Sequence, residues 1–132
     1  MLDKRPADWN WVVARHECTA AKMLGILKKL AARDVATRNE QLGDNQYVFW
    51  DHGDNFAVNL QGSQGGSEDT RVHFALSSDG QKLEISRGFG KPAVGVLSLA
   101  LGKRGQCKWV KSGEEMDPWQ VLQWAIGPLL FG

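Results

Sequence analysis

Cysteine is nearly absent from this 132-residue chain, occurring only at Cys18 and Cys107. That distance in sequence excludes the close pairs of zinc ribbons and redox motifs. A chain of this size does not need one disulfide to fold, so both are expected as reduced, partly buried thiols. Long hydrophobic runs are missing too. The longest, Ala93 to Leu101, is broken by Gly95 and Ser98 and is far shorter than the roughly 20 residues that cross a bilayer. The opening Met1-Leu2-Asp3-Lys4-Arg5-Pro6 has no apolar stretch behind it of the kind a secretory signal needs. These absences give a cytoplasmic expectation with no membrane partner.

Charge of one sign is scarce as well. The net charge of +1 provides no field that would draw nucleic acid or a membrane surface. Its distribution is uneven, at +3 for residues 1–40, −5 for 41–70 and +3 for 71–132, a pattern that internal charge complementarity accounts for. Catalytic signatures are equally sparse. No HExxH, His-x-His, Gly-x-Ser-x-Gly or Ser-x-x-Lys occurs, so neither a metal nor a cofactor is expected and no residue is assigned as catalytic. Gly88-Phe89-Gly90-Lys91 looks like part of a phosphate loop, but Pro92 and strand-like residues follow where a helix would have to open.

What is present reads as one α+β domain over residues 1–132. Apolar residues make up 42% and charged residues 23%, the balance of a globular chain with its own core. Trp9, Trp11 and Val13 alternate, which predicts a short first strand. Thr19 then caps a helix over Ala20 to Asn39, whose Leu24, Leu27, Ala31 and Val35 share one face. Lys22, Lys29 and Arg33 lie on its other side, where a solvated face explains them better than contact with nucleic-acid phosphates.

Beyond Asn45 the period changes to two. Tyr47 to Trp50 and Phe56 to Leu60 flank the turn Asp51-His52-Gly53-Asp54, Val72 to Leu76 pairs with Leu83 to Ser86, and Ala93 to Leu101 pairs with Cys107 to Lys111. Gln61 to Thr70 is Gly- and Ser-rich, including Ser63 and Ser67, and predicts a mobile loop. Asp117, Pro118 and the pair Gly127-Pro128 frame a short C-terminal helix. Short turns exclude parallel pairing, so the expected architecture is a curved antiparallel sheet of about six strands in meander order, wrapped around the long N-terminal helix. This order resembles that of helix-grip and cystatin-like domains, folds that host many unrelated functions.

Two groups of residues are candidates for function. Trp119, Leu122, Trp124, Ile126, Leu130 and Phe131 give the last helix and tail more apolar surface than one sheet edge can cover, which points to a protein contact, a homodimer, or a small apolar ligand. The six tryptophans, Trp9, Trp11, Trp50, Trp109, Trp119 and Trp124, serve core packing first and such a surface second. His16, Asp51, His52 and Asp54 are the polar nominees, because a histidine between two carboxylates can act as a base. His73, between Val72 and Phe74, should face away from the core. The leading expectation is a non-catalytic binding or interaction module. The alternative is a small enzyme or ligand carrier with a polar site in the cup between helix and sheet.

Overall fold

The structure is a computed structural model that describes residues 10–61, 70–88, 91–102 and 105–131. Helix α1 spans Trp11–Glu17 and α2 spans Ala20–Leu42. Seven strands follow, β1 Tyr47–Asp51, β2 Asn55–Leu60, β3 Arg71–Leu76, β4 Leu83–Ser86, β5 Ala93–Leu101, β6 Cys107–Lys111 and β7 Glu114–Met116, before α3 at Pro118–Phe131. The strands lie side by side in chain order and every pairing is antiparallel. The α+β meander with one long N-terminal helix and a C-terminal helix is therefore the fold. Its sheet is open, with β1 and β7 as edges.

Local chemistry sets the ends of α2. Thr19 Oγ1 accepts the Lys22 N–H at 3.2 Å, satisfying one of the donors a helix start leaves over. At the other end Gly43 takes φ +68°, the left-handed conformation that glycine adopts without a Cβ clash. The inward stripe is Met23, Leu24, Leu27, Ala31 and Val35, all buried. It packs with Val121, Leu122, Ala125, Ile126, Leu129 and Leu130 of α3 onto one face of the sheet.

That face is built by register. Phe56 pairs with Phe74 and Phe74 with Ile85, Val58 with Val72, and Leu83 with Leu97, so alternate side chains of successive strands form a continuous apolar layer. The Phe56 and Phe74 rings stack with centroids 4.5 Å apart.

Four expectations are revised. Residues 11–17 form a helix where a strand was expected, because Asn10 Oδ1 accepts from the Val12 and Val13 amides at 2.9 and 3.3 Å and caps it. Cys18 and Cys107 are joined in a disulfide with their Cα atoms 5.3 Å apart; the fold brings the α1–α2 junction against the start of β6, within normal bridging reach. Strand β7 adds a seventh member to the sheet, and α3 runs through Gly127 and Pro128. The expected mobile loop lies largely outside the described residues, as do Trp9 and Phe89-Gly90.

Candidate functional site

Helix α3 has two apolar sides, and both find partners. Val121, Leu122, Ala125, Ile126, Leu129 and Leu130 are buried between α2 and the sheet. Trp124 points to the strands. A Cβ built on Gly95 would come within 2.6 Å of Trp124 Cη2, so the ring lies directly on the β5 backbone, with the Lys111 ammonium 4.6 Å from its centroid.

What α3 leaves outside includes one ridge, next to the exposed Pro128. Trp119, Gln123, Gly127 and Phe131 are spaced four apart, the interval that lines residues up along a helix surface. Trp119 is 57% exposed and Phe131 69%. They flank a groove of about 270 Å³ between α3 and the residues Asp34, Thr37, Arg38 and Gln41 of α2, with Leu122, Ile126 and Leu130 along its length. This volume lies just below the usual range for drug-sized ligands.

Polar groups fix the groove. The Arg38 guanidinium stacks 4.0 Å over the Phe131 ring, and its Nε donates to the Leu130 carbonyl at 2.9 Å. Tyr47 Oη donates to the Leu129 and Leu130 carbonyls at 3.0 and 3.2 Å. The last turn of α3 thus has side-chain donors for carbonyls that would otherwise lack partners. Partial burial raises the Asp34 carboxyl above its ordinary pKa, against the opposing pull of Arg33.

The six apolar candidates therefore divide. Trp119 and Phe131 line the groove as exposed rims, Leu122, Ile126 and Leu130 are buried residues of its floor, and Trp124 lies on the other side of the helix.

The polar nominees lie elsewhere and apart. His16, exposed on α1, borders a recess with Arg15, Thr19 and Lys82. Asp54 borders a different one with Gly25 and Lys28. Asp51 Oδ1 accepts the Gly53 N–H at 2.9 Å and pairs with Lys28 Nζ at 3.0 Å, while Lys28 donates to the Gly53 carbonyl at 2.5 Å. The Gly53 amide first, and Lys28 second, hold the Asp51 carboxyl below its usual pKa. These bonds fasten the β1–β2 turn to α2. His52 is exposed at that turn, its ring edge-on to Trp50 with centroids 5.9 Å apart. The interior between helices and sheet is filled by Leu27, Phe56, Phe74 and Trp109. Among the described residues no three His, Cys, Asp or Glu side chains are grouped to hold a metal.

Sequence reasoning missed a cluster on the opposite face of the sheet. Arg71 Nε donates to Asn59 Oδ1 at 2.5 Å, and its guanidinium sits 5.1 Å from the Trp50 ring centroid. His73 Nε2 lies 3.1 Å from Asn55 Oδ1. Partial burial, with His52 and Arg71 adding positive charge nearby, pulls the His73 pKa below its ordinary value. The alternation around Val72 and Phe74 did place His73 on this face. The partners of Arg71 and His73 depend on cross-strand register, which no single strand contains. The hydrogen bonds run between β2 and β3, so they join strands of the sheet.

No helix among the described residues is long and apolar enough to cross a membrane. No protein-family model, curated protein or solved structure matches the chain.

Proposed function

We propose that the chain is a non-catalytic protein-interaction domain whose docking surface is the α2–α3 groove, and that a second copy occupies it. The observation that carries this reading is the exposure of Trp119 and Phe131 at the two ends of one α3 ridge. Aromatic side chains dominate contact energetics when a partner covers them. The ridge is also complementary to itself. Laid antiparallel about a two-fold axis, Trp119 of one copy meets Phe131 of the other, and Gln123 falls opposite Gly127, where the small residue admits the long one. A two-fold contact uses the same patch twice, the commonest closed arrangement of identical chains.

The disulfide bears on location. Disulfides persist in oxidising compartments and are rare in a reducing cytosol, so Cys18–Cys107 supports an oxidising compartment over the cytoplasm expected from the sequence.

Native mass spectrometry of the chain purified from its own cells tests the reading, since it reports stoichiometry and any retained ligand together. The expected species is a dimer free of small molecules, lost in Trp119→Glu. A monomer carrying a retained ligand would replace the interaction domain with a carrier.

A further inference from the structure

The open edge of the sheet at β1 is built differently from the edge at β7. Strand β7 is three residues long and carries Glu114 and Glu115, the short, charged form that discourages pairing with another chain. Strand β1 reads Tyr47-Val48-Phe49-Trp50-Asp51, with no lysine, proline or bulge to protect it. Gln46 accepts from the Gln61 amide at 2.6 Å and His52 donates to the Asn55 carbonyl at 2.9 Å. Antiparallel alternation therefore turns the main-chain groups of Val48 and Trp50 towards β2, and those of Tyr47, Phe49 and Asp51 outward.

The first outward position already shows how this edge can be met. Asn39 Nδ2 donates to the Tyr47 carbonyl at 2.9 Å, and Asn39 Oδ1 accepts the Tyr47 N–H at 3.0 Å, so one side-chain amide supplies both bonds of a neighbouring strand residue. Ala32 and Ala36 are small, and together with Val35 and Phe49 they line an open cleft of about 940 Å³ between α2 and β1. Among the described residues its charged lining is Glu40 and Asp44, with no lysine or arginine, neither carboxylate is in an ion pair, and the nearby Lys28 is engaged by Asp51.

We propose that β1 is a strand-addition site for an extended basic peptide segment. The peptide pairs its main chain with Phe49 and Asp51, places an apolar side chain over Ala32 and Ala36, and sets Lys or Arg beside Glu40 and Asp44. In this mode main-chain hydrogen bonds give affinity and the flanking pocket gives specificity. Charge decides between occupants. A second copy adding its own β1 would bring another Glu40 and Asp44 into the neighbourhood, whereas a basic segment is attracted. The site lies on the flank of α2 opposite the α2–α3 groove, so it stands or falls separately from dimer formation.

Calorimetric titration with two blocked hexapeptides tests it, each of alternating Val and Thr with two lysines, placed at one end or the other. Amide exchange at Phe49 is followed in the same samples. One lysine peptide is expected to bind and to slow Phe49 exchange by about tenfold or more, and Glu40→Lys with Asp44→Lys to weaken it by about tenfold. Ala36→Arg, at an exposed helix position, is expected to abolish binding by filling the cleft and adding like charge. No binding up to about 1 mM peptide, or equal binding of peptides with glutamate in place of lysine, would overturn the proposal. So would concentration-dependent protection of Phe49 without peptide, which would assign the edge to a second copy.

Discussion

Trp124 and Gly95 show how a residue that reads as surface becomes part of the packing. Seen as a sequence, Trp124 shares the last helix with Trp119 and reads as equally free to meet a partner. In the fold its ring rests on the β5 backbone at Gly95 and under the Lys111 ammonium. A methyl group at position 95 would come within 2.6 Å of Cη2 and 3.0 Å of Cζ3, and a ring held from both sides has little room to move. Gly95→Ala is therefore expected to destabilise the chain by about 1–3 kcal/mol, the usual cost of overpacking, as measured by denaturant melts. An unchanged melt would show that Trp124 can swing away. His73 gives a second residue-scale expectation. Burial, then the positive charges of His52 and Arg71, lowers its folded pKa below the ordinary 6.5, so the folded chain binds fewer protons there than the unfolded one. Its contribution to stability is present above 6.5 and is lost as pH falls through the folded value. Between about pH 7.5 and pH 5 the denaturation midpoint should fall, and fall less in His73→Gln; equal drops in both would contradict the assignment.

Among the elements, legibility in the sequence followed locality. Helix α2 and the hairpins β1–β2, β3–β4 and β5–β6 were readable because caps, glycine turns and period-two runs are written within a few residues of where they act. Helix α1 was not, since Trp11 and Val13 alternate over too few residues to separate the two periods and the deciding signal was the Asn10 cap. Helix α3 outran its Gly127-Pro128 terminator because Arg38 and Tyr47 supply donors to the Leu129 and Leu130 carbonyls from 82 to 92 residues away. The candidate groove was half legible for the same reason. Excess apolar surface on α3 could be counted from its residues, but which of them α2 and β5 would cover could not.

At the scale of the whole molecule, one covalent link joins the helical layer to the second half of the sheet. The Cys18–Cys107 bridge closes a separation of 89 residues, and a loop of that length corresponds to about 4–5 kcal/mol of stabilisation in the chain-entropy account. Cys107→Ser should cost an amount of that order in a denaturant melt, and adding reductant to the wild type should reproduce it. A variant as stable as the oxidised wild type would remove the bridge from the account of folding and of location. Self-association is the central claim, and sedimentation equilibrium tests it most directly. The wild type, examined over a range of concentrations beside Trp119→Glu, should fit twice the chain mass, while the variant, folded by its circular dichroism, should fit one. A wild type that keeps the monomer mass at the highest concentration would contradict the account.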